Sequence, residues 1–220
     1  MTPERQVSET PPVFDAAFQD GLELLLRWRR DVRRFKTDPV PPALIDELLD
    51  LACLAPSVGN SQPWRFVAVE SPTARKSIRD NFEAANAEAL SGYCGEQAEL
   101  YAGLKLSGLD KAPVHLAVFC DQETLQGHGL GRQTMPETLR YSAILAVHTF
   151  WLTARTRGLG CGWVSILDPK QATADLKVPE NWTLVAYLCI GWPEEEHHDP
   201  ELVRHGWQDR TAECRKLEKR

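Results

Sequence analysis

Residues 136–160, PETLRYSAILAVHTFWLTARTRGLG, limit the possible folds more than any other stretch of this chain. Apolar side chains between positions 141 and 152 spread too far around a helix for one face to hold them, which predicts a central helix covered on several sides. Gly158 and Gly160 close it. Four segments carry strand patterning: RFVAVE (65–70), PVHLAVFCD (113–121), CGWVSIL (161–167) and WTLVAYLCIGW (182–192). The second is apolar throughout, so both its faces are expected to be buried. Helical and strand patterns interleave without a repeat. The expected fold class is therefore α+β, a mixed sheet of about four to five strands layered by helices.

The other helices follow from local signals. In DAAFQDGLELLLRWRR, from Asp15, the residues Phe18, Leu22, Leu25 and Leu26 share one face. PPALIDELLDLACLA opens on Pro41-Pro42 and repeats Leu44, Ile45, Leu48, Leu49 and Ala52 at helical spacing. Ser71 is placed as an N-cap with Pro72 in the first turn, and DPKQATADLKV (168–178) reads as a short helix. Residues 91–112 read as irregular, with glycines at 92, 95, 103 and 108, and 122–135 as a polar, Gly-rich stretch. At 220 residues one domain is expected, over 16–212, with a flexible segment at 1–15 and a tail at 213–220.

With 43% apolar and 25% charged residues the chain has globular proportions, and a net charge of −6 argues against a general nucleic-acid binder. Residues 1–15 contain no apolar signal core and no segment is long enough to span a membrane, so a cytoplasmic location is expected. The six cysteines (53, 94, 120, 161, 189, 214) lack zinc spacing and read as reduced, packed thiols. His197-His198 in an acidic turn lacks the spacing of a metal site, and none is expected; His115 and His148 read as core residues.

Against this acidic background, residues 27–36 hold six cationic side chains and one carboxylate, Asp31. Arg29, Arg30 and Arg33 are suited to a phosphate. No Gly-x-Gly-x-x-Gly opens a helix after a strand; GLGCG (158–162) leaves a helix and enters a strand, which disfavours a dinucleotide fold. The loop APSVGNSQPW (55–64) supplies Asn60 and Gln62 carboxamides for a heteroaromatic edge and Pro63 and Trp64 as an apolar wall. Arginines for a phosphate and amides for a ring describe a flavin mononucleotide (FMN) site.

RRDVRRF (29–35) and LAPSVGNSQPWRF (54–66) resemble the nitroreductase-like flavoprotein superfamily, whose pattern is Arg-Arg-Ser-x-Arg-x-Phe followed by Ala-Pro-Ser-x-x-Asn-x-Gln-Pro-Trp. Asp31 stands where that pattern has serine. This departure, with LKLSGLDKAPVHLAVFCD (104–121), residues 131–169 and HGWQDR (205–210), resembles the flavin-destroying 5,6-dimethylbenzimidazole synthase branch, over about residues 20–212. The resemblance implies that reduced FMN is substrate and dioxygen co-substrate, giving 5,6-dimethylbenzimidazole and erythrose 4-phosphate. It further implies a domain-swapped homodimer with flavin at the interface, a lid at roughly 91–112, no nicotinamide pocket, and a separate reductase as electron source.

On that resemblance Asp31 and Ser165 are the catalytic candidates, and the binding set is Arg29, Arg30, Asp31, Val32, Arg33, Ser57, Asn60, Gln62, Pro63, Trp64, Ser165 and Arg210. Asp31 is expected to be held ionised by its cationic neighbours, to abstract a proton or to hold the ribityl chain. Its alternative role is an ion pair that keeps the arginines in place. Ser165 is expected to donate to the ring nitrogen or a peroxide; otherwise it is a buried hydroxyl satisfied by backbone. Arg210 is expected at the phosphate of a flavin held mainly by the other subunit. Trp151 and Trp163 read as packing, with Trp163 also placed to border the ring. Two rival functions remain: a nicotinamide-dependent nitroreductase, and a non-catalytic flavin-binding module.

Overall fold

The computed structural model describes residues 10–104 and 108–220. Helix α1 (Ala16–Trp28) begins at Asp15, whose carboxylate accepts from the Phe18 N–H, and ends where Arg29 turns to extended backbone. A strap then runs to Phe35. Helix α2 (Pro42–Ala52) is followed by a tight loop and strand β1 (Trp64–Ala68). Helix α3 (Pro72–Ser91) starts as the sequence predicts, the Ser71 hydroxyl capping the Ala74 N–H at 3.2 Å; such a cap contributes about 1 kcal/mol. Next come α4 (Glu96–Gly103), α5 (Gly108–Lys111) and β2 (Val114–Asp121). The chain continues through α6 (Thr138–Thr156), β3 (Gly160–Val164), α7 (Pro169–Asp175), β4 (Trp182–Gly191) and α8 (Glu201–Arg204).

The four strands lie in the order β1-β2-β4-β3, and every neighbouring pair is antiparallel. Parallel pairing enters through an isolated bridge from Asp31 to Cys161. Because side chains alternate across a strand, β2 and β4 feed two cores. One holds Leu116, Val118, Ala186, Leu188 and Ile190 against Leu48 of α2 and Val147, Phe150 and Ala154 of α6. The other holds Ala117, Phe119, Tyr187 and Cys189 with Ile78, Ala172 and Phe35. Burial of β2 on both faces follows the sequence reading.

Several expectations change. Residues 91–112 are largely helical, not irregular, because their glycines mark helix ends: Gly92 caps α3 and Gly95, at φ +58°, precedes α4. The lid placed there includes residues 105–107, which lie outside the described residues, as do residues 1–9 of the N-terminal segment. Helix α6 is covered on fewer sides than its composition suggests, since Tyr141, Ile144 and Leu145 are exposed. His148 is exposed as well, one turn along the same open side. The apolar face of α1 is present but uncovered, with Phe18, Leu22 and Leu26 exposed. Cys120, Cys161 and Cys189 are buried, whereas Cys53, Cys94 and Cys214 are exposed, so half the thiols are not packed.

Candidate functional site

The arginine strap is fastened along β3. Val32 N–H donates to the Cys161 carbonyl at 3.0 Å, and Lys36 N–H to the Trp192 carbonyl at 2.8 Å. Phe35, with no exposed surface, plugs the core between Gly108 and Gly191. A Cβ on Gly162 would lie 2.2 Å from the Val32 carbonyl oxygen, and one on Gly160 would lie 2.7 Å from a Val32 methyl. Sequence reasoning gave these glycines a turn and no more; their function is to let the strap approach. The available signal was their place inside a strand, where glycine marks close backbone contact.

Asp31 is anchored at this crossing. Its Oδ1 accepts from the Trp163 N–H at 2.9 Å, and its Oδ2 lies 3.4 Å from Arg33 Nε. The expected downward pKa shift is overturned: loss of hydration raises the carboxyl pKa, outweighing the Trp163 hydrogen bond and the Arg33 charge. The side chain retains 38% exposure, which leaves it open to a ligand and tempers the desolvation. A carboxylate moved toward neutral pH is suited to proton transfer.

Ser165 follows β3 directly, two residues beyond Trp163 and thus about 7 Å along the backbone. It is exposed, and its hydroxyl has no partner among the described residues, unlike a structural serine satisfied by backbone. Arg29 stacks over the Trp151 ring at 5.0 Å. Trp151 and Trp163 are half-buried, 6.2 Å apart, and the Trp151 indole N–H donates to the Arg30 carbonyl at 3.3 Å.

Arg27, Arg30 and Arg210 line a cleft of about 350 Å³, with Glu23 and Asp199 as its acids. Burial first, then the like charges of Arg29 and Arg210, lower the Arg30 pKa. Arg30 donates through Nε to the His198 carbonyl at 2.8 Å and through its terminal nitrogens to the carbonyls of Arg29 and Arg27, so it offers a phosphate only its remaining terminal hydrogens, beside the guanidinium of Arg210. Arg210 shares this cleft with Arg27 and Arg30 of its own chain. Arg27 pairs with Glu23, and Arg34 with Glu195 and Glu201. Arg34 is thereby structural, and Glu195, facing both Arg34 and His197, has its pKa lowered to about 2. No group of three or more potential metal ligands assembles among the described residues.

The second half of the predicted set lies elsewhere. Asn60 and Gln62 are exposed and both adopt positive φ, +53° and +44°. The Ser57 hydroxyl accepts from the Gln62 N–H at 3.1 Å. Trp64 is not a surface wall: it is 6% exposed and packs with Ala55, Cys120 and Leu139, because strand β1 starts there and turns it inward; Pro63 is buried beside it. This loop enters β1 at one sheet edge while Asp31 joins β3 at the other. Three strand spacings and five residues of register separate Trp64 from Trp163, a diagonal of about 20 Å. The clefts lined by the strap arginines include no residue from 57–64. Among the described residues of one chain, the two halves do not line a common cleft.

Residues 26–192 match the family model described as "Nitroreductase family". The chain is 59% identical over 201 residues to a 5,6-dimethylbenzimidazole synthase of Rhodospirillum rubrum, covering 91% of this chain and 95% of that protein. It is 52% identical over 196 residues to a protein of the same name from Rhodobacter capsulatus, covering 89% and 95%. Among solved structures, an iodotyrosine deiodinase bound to FMN and 3-iodo-L-tyrosine superimposes with a TM-score of 0.68 at 27% identity, over 80% of this chain and 91% of that one.

Proposed function

The chain belongs to the nitroreductase family, and from that premise we propose that it fragments reduced FMN with dioxygen into 5,6-dimethylbenzimidazole and D-erythrose 4-phosphate. The benzimidazole is the lower ligand of cobalamin. The near full-length likeness to 5,6-dimethylbenzimidazole synthases carries this reading. FMN is here a substrate, reduced elsewhere by a separate flavin reductase, and dioxygen is the oxidant.

Carbon bookkeeping states what the residues must do. The ribityl chain has five carbons and erythrose four, so one ribityl carbon stays with the aromatic product and the bond to its neighbour breaks; the pyrimidine carbons and nitrogens, which neither product contains, leave as a third fragment. The hydroxyl on that neighbouring carbon becomes the aldehyde of erythrose 4-phosphate, so its proton must be taken as the bond breaks and the bonding electrons pass to the retained carbon; the raised pKa of Asp31 suits its carboxylate to take that proton. The cleft of Arg30 and Arg210 holds the phosphate at the end of the same chain. The open hydroxyl of Ser165 donates to charge developing on the ring.

A homodimer completes the arrangement. The strap of one subunit and the Asn60–Gln62 loop of the partner then face one flavin, which accounts for their separation within a chain. The exposed apolar residues of α1 and α6 supply a surface for that pairing.

Incubation of the protein with FMN, a chemical or enzymatic reductant and air should give 5,6-dimethylbenzimidazole, identified by mass. Flavin left intact while reduced nicotinamide is steadily consumed would identify a nitroreductase instead. Flavin bound but unchanged would identify a binding module.

A further inference from the structure

We propose that Gln126, in the Gly-rich stretch 122–135, is a positioning residue that turns the 57–63 loop into a hydrogen-bond donor edge selective for reduced flavin. The proposal rests on the flavin reading above. Gln126 Nε2 lies 2.9 Å from the Asn60 carbonyl oxygen and 3.2 Å from Gln62 Oε1. A main-chain carbonyl only accepts, so the Gln126 atom facing it is the amide nitrogen. The second hydrogen of that nitrogen goes to Gln62, which fixes the oxygen end of the Gln62 carboxamide. Gln62 Nε2 in turn faces Asn60 Oδ1 at 3.5 Å. One backbone carbonyl therefore orients three side-chain amides; the Asn60 Nδ2 hydrogens and the second hydrogen of Gln62 Nε2, on two exposed residues, have no partner among the described residues and are free to donate to a ligand.

The contact that places Gln126 is built into the backbone. A Cβ on Gly59, at φ +56°, would lie 2.9 Å from the Leu130 carbonyl oxygen, and one on Gly127, at φ +80°, only 2.5 Å from the Gly59 carbonyl oxygen. The two loops lie directly on one another, and only glycine permits it. Outward amide hydrogens suit a ring edge that accepts. Reduction places negative charge on the pyrimidine carbonyl side of the flavin, and hydrogen bonds to charged acceptors are stronger than those to neutral ones. A donor edge therefore binds the reduced ring more tightly than the oxidised one.

Gln126→Glu tests this, because it has nearly the same shape but replaces the donor with an acceptor and turns the Gln62 amide around. Anaerobic equilibrium titration of the full-length variant should show reduced FMN bound about tenfold more weakly. Oxidised FMN should change by less than about threefold. Gln126→Leu, which removes the donor without adding charge, should weaken reduced FMN in the same direction by a smaller factor, and the thermal midpoint of both variants should stay near that of the unmodified protein. Equal weakening of the two flavin forms, or no change in either, overturns the role of Gln126. An unmodified protein that binds neither form overturns the flavin reading, and this proposal with it.

Discussion

The Trp163 backbone N–H donates to Asp31 Oδ1 at 2.9 Å, which ties the single acid of the arginine strap to the strand that ends one residue before Ser165. One carboxylate oxygen is thus engaged in structure, while the other faces Arg33 at 3.4 Å and the open cleft. Position and chemistry are separable in this residue, and an isosteric amide can keep the first while removing the second.

Asp31→Asn should bind reduced FMN within about threefold of the unmodified protein and lose at least about 100-fold in benzimidazole formation. Product mass after aerobic incubation, set beside an anaerobic binding titration, checks both. Collapse of binding would instead assign Asp31 to the scaffold.

The same substitution has a pH signature. The folded pKa of Asp31 is raised, so its ionised form is penalised in the folded state as pH climbs through that value. The stability of Asp31→Asn relative to the unmodified protein should therefore rise as pH climbs from the ordinary carboxylate range, read as the difference in thermal midpoints. Activity of the unmodified protein should rise with pH over the acid side, and the residual activity of the variant should lack that limb.

Ser165→Ala removes an exposed hydroxyl with no partner among the described residues, so the thermal midpoint should not move. Benzimidazole yield should fall by about 10- to 100-fold. A normal yield would remove Ser165 from the mechanism.

Gly162→Ala forces a methyl group against the Val32 carbonyl oxygen. It should destabilise the fold by about 2–4 kcal/mol and loosen flavin binding by displacing the strap. Gly21→Ala, in the interior of α1 with nothing within 4 Å of the new methyl, should instead stabilise by about 0.5–1 kcal/mol. Chemical unfolding of the two variants side by side gives the comparison.

His115 is buried, bonded through Nδ1 to the Tyr187 hydroxyl at 2.8 Å, and burial lowers its pKa from 6.5 to about 3. The unfolded chain takes up a proton in that window and the folded chain does not, so stability falls as pH drops from about 6.5 to about 3, by a few kcal/mol in order of magnitude. Urea unfolding at pH 7, 5.5 and 4 should show a shallower acid decline in His115→Gln.

Much of this architecture was legible in the chain. Ser71-Pro72 start α3 where local chemistry places them, and the apolar run of β2 announces a strand buried on both faces. Arg29, Arg30 and Arg33 read as one phosphate group in the sequence, whereas on the strap Arg30 and Arg33 line a cleft with Asp31, Arg29 lies over Trp151, and Arg30 alone of the three reaches the cleft of Arg210. What sequence could not supply was relation across the sheet. Nothing in the spacing of Val32 and Gly162 reveals that one carbonyl presses on the other's backbone, the crossing at which Asp31 loses hydration and its pKa rises. Trp64 reads as an apolar wall yet packs in the core, because an aromatic beside a polar loop looks alike in sequence whether it faces a ligand or starts a core strand. The amides of Asn60 and Gln62 were visible, but Gln126, distant in sequence and brought near by glycine-to-glycine contact, was not.

The diagonal between strap and loop has a genetic counterpart. In the proposed homodimer, a pair of chains with one crippled at Asp31 and the other at the Asn60–Gln62 loop would place both injuries on the same one of its two flavin cavities, and the other cavity would inherit only intact parts. Two inactive proteins mixed and allowed to exchange subunits should regain part of the lost turnover, which no arrangement confining each cavity to a single chain would permit.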